Sequence, residues 1–104
     1  MNQQDLDIKK RIYRLVSLIP KGKVTSYGRI AKKLGIKSPR LVGRILHENT
    51  DPKNIPCHRV VHSDGSLAKN YAFGGAPEQN RKLKKEGVIL KGIKVDLQLS
   101  LYKV

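Results

Sequence analysis

Residues 54–67 read NIPCHRVVHSDGSL and hold the one cysteine of the chain, Cys57, followed directly by His58 and Arg59. A cysteine attacks as its thiolate, and with a pKa of about 8.5 little of it is ionised at neutral pH unless a base or a positive field assists. His58 offers the base and Arg59 the charge. Read as an extended run, residues 58–62 would send adjacent side chains to opposite faces, so His58 would need a bridging water or a bend at Pro56 to serve the sulfur. The alternative is a buried thiol that acts as a small apolar side chain. One cysteine allows no internal disulfide, and together with His47, His58 and His62 it matches none of the usual zinc spacings, so no metal site is expected.

The elements that must position this thiol can be read from periodicity. Ile8, Ile12, Leu15, Val16 and Ile19 recur at helical spacing and stop at Pro20, which predicts an amphipathic first helix. After an extended VTS, Ile30, Ala31 and Leu34 share one face of a short second helix, with Gly35 as its C-terminal cap. Ser38 and Pro39 open a third helix as N-cap and first residue, with Leu41, Val42, Ile45 and Leu46 turned inward. Two short helices in succession, the second with exposed Arg40 and Arg44, read as a helix-turn-helix. Asp64-Gly65 predicts a type I′ hairpin between two extended runs, a small wing. A helix from Pro77 to Gly87 and a final strand or extended tail complete the reading. The expected class is mainly α with a small β-hairpin wing, a winged helix-turn-helix-like single domain spanning residues 1–104.

Of the 104 residues, 22 are Lys or Arg and 8 are Asp or Glu, a net charge of +14 spread along the whole length. Such a chain seeks polyanions, and nucleic acid is the leading partner. The polar, partly acidic start resembles no secretory leader, and no apolar run approaches a membrane span. A monomer in the cytoplasm, or the nucleus of a eukaryote, is expected, with no membrane partner.

The window IPCHRVV resembles the active-site motif of the 6-O-alkylguanine-DNA alkyltransferases, repair proteins that take an alkyl group from guanine onto their own cysteine. The stretches IPKGKVTSYGRIAKKLG, PRLVGRILHEN, DGSLAKNYAFGG and LKKEGV are similar to further pieces of that family, in its order. The resemblance takes in the DNA-binding and catalytic half and no N-terminal domain, as in the small alkyltransferase-like proteins, whose ending GVILKGIKVDLQLSLY also resembles.

Carried over by position, the resemblance implies that Cys57 is the nucleophile, that His58 deprotonates it through water, and that Glu86 holds the imidazole. Asn49 would tie the recognition helix to the active-site turn. Arg40 would enter the duplex from the minor groove and fill the gap left by the extruded nucleotide, with Gly43 and Arg44 beside it on the DNA. Tyr27 would help rotate the nucleotide and contact the base. Val60 would line the base pocket and read the guanine amino group through its carbonyl, and the loop containing Tyr71, Ala72 and Phe73 would close over the base. Local physics agrees for two of these. An arginine in the first turn of a helix opposes the helix dipole, and a glycine inside a helix costs about 1 kcal/mol relative to alanine. A lysine common early in the family's last helix is replaced by Gln79 or displaced to Lys82.

The function implied is a methylated-DNA-[protein]-cysteine S-methyltransferase that reacts once and acts on duplex DNA carrying alkylated guanine. Two alternatives are a non-catalytic alkyltransferase-like sensor that recruits excision-repair proteins, and a winged-helix regulator whose cysteine is core. The sensors usually carry tryptophan where Cys57 stands, which argues for transfer.

Overall fold

The computed structural model of the chain describes residues 3–104, and its first three helices form where the apolar spacing places them. They are α1 (Gln3–Ser17), α2 (Tyr27–Leu34) and α3 (Pro39–His47). Ser26 caps α2 by accepting from the Arg29 N–H, and Gly35 ends it in the left-handed region at φ 69°. Ser38 caps α3 by accepting from the Arg40 N–H, with Pro39 in the first turn. The inward faces of these helices bring Ile12, Val16, Ile30, Ala31, Val42, Ile45 and Leu46 into one core. Burying each of the larger side chains contributes on the order of 1.5–3 kcal/mol.

Two-residue strands β1 (Thr25–Ser26) and β2 (Val60–Val61) pair in parallel, Thr25 opposite Val60 and Ser26 opposite Val61. Alternation along β2 sends Val60 into the helical core and Val61 into a second cluster with Val24, Leu67, Leu83, Val88 and Val95. Helix α4 (Gly75–Lys85), hairpin strands β3 (Leu90–Lys91) and β4 (Lys94–Val95), and the short α5 (Leu97–Ser100) close that second cluster. The result is a mainly helical domain with small sheets, as the sequence predicts, and no helix among the described residues is long and apolar enough to cross a membrane.

Three expectations are corrected. The residues after Pro56 are not extended: Cys57–Arg59 form a 3₁₀ turn. It follows an inverse γ-turn in which Pro56 sits at φ −75°, ψ 70° and the Cys57 N–H donates to the Ile55 carbonyl at 2.7 Å. The bend at Pro56 is therefore real, and the strand begins only at Val60. Next, Asp64-Gly65 does not make a type I′ hairpin. That turn needs positive φ at both residues, whereas among the described residues only glycines have it. Asp64 instead accepts from the Ser66 N–H and hydroxyl, and Gly65 at φ 89° follows it as the left-handed residue. The turn itself is closed, with the Gly65 N–H donating to the His62 carbonyl and the His62 N–H to the Ser66 carbonyl, each at 2.9 Å, so a tight turn of another type stands at the expected place. Beyond it Ser66 pairs with Lys94, and a further antiparallel hairpin is β3–β4. Lastly, residues 97–100 are helical because the Asp96 carboxylate caps the Gln98 and Leu99 N–H groups.

Gln79 fixes the turn that carries Cys57. Its fully buried amide accepts from the Ala68 N–H at 2.8 Å and donates to the His58 and Val60 carbonyls, each at 3.0 Å. One side chain on α4 thus satisfies three backbone groups of two otherwise separate segments. Gln79→Leu strands all three, at roughly 1–3 kcal/mol for each unpaired group. Urea unfolding of that variant is expected to show a loss of about 3 kcal/mol or more.

Candidate functional site

Cys57 lies at the start of the 3₁₀ turn with 5% of its surface exposed, and that remnant faces an open cleft of about 1330 Å³. Tyr27 from the start of α2, Arg40, Gly43 and Arg44 from α3, and Tyr71 and Ala72 from the loop before α4 line the same cleft. Residues that stand far apart in the sequence meet here because α2 and α3 pack together and β1–β2 pairing draws residue 60 to residue 25. Two residues expected in the base pocket are not on its lining. Val60 is fully buried, with its carbonyl bonded by Gln79, and Phe73 packs edge-on against Tyr71 at 5.8 Å between ring centres.

Asn49 joins α3 to the turn. Its amide donates to the Ile55 carbonyl at 2.8 Å and to the Cys57 sulfur at 3.3 Å, while its oxygen accepts from the Asp51 N–H. The Cys57 thiol is held above its ordinary pKa by burial, partly opposed by the Asn49 hydrogen bond, a backbone N–H and the charge of Lys82. At rest it is a protonated thiol.

Behind it, His58 Nε2 lies 3.0 Å from Glu86 Oε2. The carboxylate sits off the line of the ring N–H, and neither ring nitrogen has an aligned hydrogen-bond partner in the protein. Burial, above all, holds the imidazole below its usual pKa, opposed by Glu86 and reinforced by the charges of Arg59 and Lys82, so it is neutral at pH 7. Glu86 is raised by burial but pulled lower overall by Arg59 and His58.

Three residues make contacts here that neither spacing nor motif assigns to them. Arg59 grips Glu86 through Nε to Oε1 at 2.9 Å and a second nitrogen to Oε2 at 2.6 Å, and also donates to the Ile19 carbonyl. Such a bidentate pair fixes the carboxylate's orientation. Lys82 donates to the Tyr71 hydroxyl at 2.6 Å and lies 5.5 Å from the centre of the Phe73 ring. His62 stacks at a tilt on Tyr27, with ring centres 5.3 Å apart. The sequence offers Arg59 as a charge beside the thiol and Lys82 as a displaced lysine, but neither reading gives the partner found here. Tyr27 is pushed up to about 12, by burial first and then by the negative charge Cys57 would carry, so its hydroxyl remains a donor.

Comparison with known proteins places these residues in context. The family model for the DNA-binding domain of 6-O-methylguanine DNA methyltransferase matches residues 7–88. A bifunctional methyltransferase/endonuclease of Picrophilus torridus is 40% identical over 96 residues, which cover 91% of this chain and 32% of that protein. The chain therefore spans about a third of the length of that curated relative. Alkyltransferase-like protein 1 of Schizosaccharomyces pombe is 37% identical over 79 residues, 75% of this chain and 73% of that one. The crystal structure of S. pombe Atl1 in complex with damaged DNA containing O6-carboxymethylguanine superposes with a TM-score of 0.80 at 28% identity, covering 100% of both chains.

The balance at Cys57 sets a pH dependence. A raised thiol pKa means less thiolate at every pH below it, so iodoacetamide labelling of the folded protein should rise with a midpoint above that of an unperturbed thiol. In denaturant the midpoint should return towards that value. Asn49→Ala removes a bond that favours the thiolate and should move the folded midpoint further up.

Proposed function

Since the chain belongs to the family of the 6-O-methylguanine DNA methyltransferase DNA-binding domain, we propose that it is a DNA-repair domain that binds duplex DNA, extrudes an alkylated guanine into the cleft and takes the alkyl group onto Cys57. The observation that carries this reading is the meeting of Cys57, Tyr27, Arg40 and Tyr71 on one cleft, with His58 and Glu86 in contact behind the thiol.

In this reading the exposed face of α3 approaches DNA from the minor groove. Arg40 stands in the first turn of α3, which contains no acid, so its charge is placed against the helix dipole and is available to a phosphate or a vacated base stack. The extruded base enters beside Tyr27 and Tyr71, and unstacking it costs least when the base is damaged and poorly paired. With Nε2 turned towards Glu86, the buried and unpartnered Nδ1 of His58 is the atom free to receive the thiol proton, directly or through water. The thiolate then attacks the alkyl carbon, a C–S bond forms, the C–O bond breaks, and its electron pair stays on guanine O6. A proton returns to guanine to restore the normal base. The thioether has no built-in reversal, so each chain reacts once, without a cofactor, as a single DNA-binding and catalytic domain. Glu86, in contact with the imidazole, stabilises the positive charge that it takes up with the proton, and Asn49 supports the nascent thiolate.

A second reading is favoured by the likeness to Atl1 over the entire chain: a lesion sensor that flips alkylguanine without transfer and hands it to excision-repair proteins. The two readings part at one observation. After incubation with duplex carrying 6-O-methylguanine, transfer adds the mass of one methylene to the peptide containing Cys57, and Cys57→Ser abolishes the gain. A sensor binds the lesion with no gain in either protein.

A second outcome concerns Gly43. A β-carbon there would make ordinary contacts with the Tyr27 ring at 3.7 and 3.8 Å, so the fold itself does not require glycine. Gly43→Ala is expected to stabilise the protein by up to about 1 kcal/mol in thermal unfolding. The same methyl should weaken duplex binding, measured by fluorescence anisotropy, because it would crowd the Tyr27 ring on the lining of the cleft offered to the nucleotide.

A further inference from the structure

Ile93, at the tip of hairpin β3–β4, is 74% exposed and is the most exposed large apolar side chain among the described residues. It joins neither core cluster. A lone surface isoleucine is ordinary, but this one lies on the lining of the same cleft as Cys57 and Arg40. Lys91 and Lys94 flank it, with side chains 80% and 53% exposed. Their ion pairs with Asp96 and Asp64 are of the partly solvated kind that contributes little to stability, so both lysines can turn to another anion at small cost.

The tip is presented rigidly. The Val95 N–H donates to the Gly65 carbonyl at 2.8 Å, Ser66 bridges Lys94, and a β-carbon at Gly65 would lie only 2.5 Å from the Val95 carbonyl. The hairpin is thus locked onto the 62–66 turn, and any side chain at Gly65 would push it away. It also lies beyond residue 88, where the family match ends, whereas the likeness to the DNA-bound Atl1 structure runs through it.

We propose that the tip of hairpin β3–β4 is a second DNA-binding edge: Ile93 packs on the deoxyribose of the strand beside the extruded nucleotide, and Lys91 and Lys94 neutralise the flanking phosphates. The proposal rests on the reading of this chain as a DNA-binding domain. An apolar tip between lysines could also sit on an anionic membrane, but the shared lining with Arg40 and Arg44 and the net charge of +14 favour a DNA strand that already lies in the cleft.

The test is fluorescence anisotropy with two matched duplexes, one plain and one carrying 6-O-methylguanine, over a salt series. The proteins are wild type, Ile93→Ser, the double variant Lys91→Ala with Lys94→Ala, and Arg40→Ala. Thermal unfolding of the hairpin variants should match wild type, since the altered side chains are largely exposed. Ile93→Ser should bind the lesion duplex about tenfold more weakly, the size of one lost apolar contact. The double lysine variant should flatten the slope of log affinity against log salt by about 2, one counterion for each phosphate released. If both hairpin variants bind as wild type while Arg40→Ala is weakened, the second edge is refuted and the DNA-binding reading stands. If wild type binds neither duplex in a salt-dependent way, both fall. If Ile93→Ser loses only binding to phosphatidylserine vesicles, with DNA affinity unchanged, the edge belongs to a membrane and the proposal is wrong.

Discussion

A carboxylate at the end of a helix, shared between a guanidinium and an imidazole, holds the site together. Glu86 occupies the C-cap of α4, where the helix dipole disfavours an anion, and burial disfavours it further. The bidentate grip of Arg59 reverses that balance and leaves Glu86 ionised with its second oxygen against His58. Because Arg59 and His58 are neighbours in the 3₁₀ turn, the same contact pins the turn to α4. Removing the carboxylate would leave a mostly buried guanidinium without its partner, an outcome far more costly than the loss of a surface ion pair.

From this anchor the chemistry of Cys57 follows as a competition. Burial suppresses the thiolate, while Asn49 and Lys82 favour it, and burial prevails. Such a thiol resists adventitious oxidation and alkylation until a neutral imidazole, itself kept neutral by burial, can take its proton. In the transfer reading proposed above, a protein that reacts once would gain from this restraint, since every stray reaction would consume it. The price is that ionisation must be coupled to arrival of the substrate.

Much of this was legible in the sequence where the signals are local. Ser38-Pro39 and Gly35 mark helix ends through their own backbone chemistry, and apolar spacing identifies the buried faces of α1 to α3. The motif around Cys57 pointed to His58, Glu86 and Asn49, which the structure brings to one turn. The parts that escaped depend on partners distant along the chain. Gln79 reads as one more polar residue of a basic helix until Ala68, His58 and Val60 are placed around it. Arg59 was overlooked as a ligand of Glu86 because residues 58–62 read as a strand with alternating faces. Asp64-Gly65 marks a turn that does form, but of another type, because Asp64 satisfies Ser66 instead of entering the left-handed region. Likewise the Asp96 cap outweighs the alternation that predicted a strand at residues 97–100.

In the proposed transfer, the carboxylate–imidazole contact, rather than the thiol alone, makes Cys57 reactive towards alkylated guanine. The most direct measurement is the single-turnover rate of alkyl transfer by Glu86→Gln beside wild type, both saturated with 6-O-methylguanine duplex and both verified as folded. The variant is expected still to bind the duplex but to transfer at least about a hundredfold more slowly, the lower bound for loss of a working general base. Equal rates at saturation would contradict it.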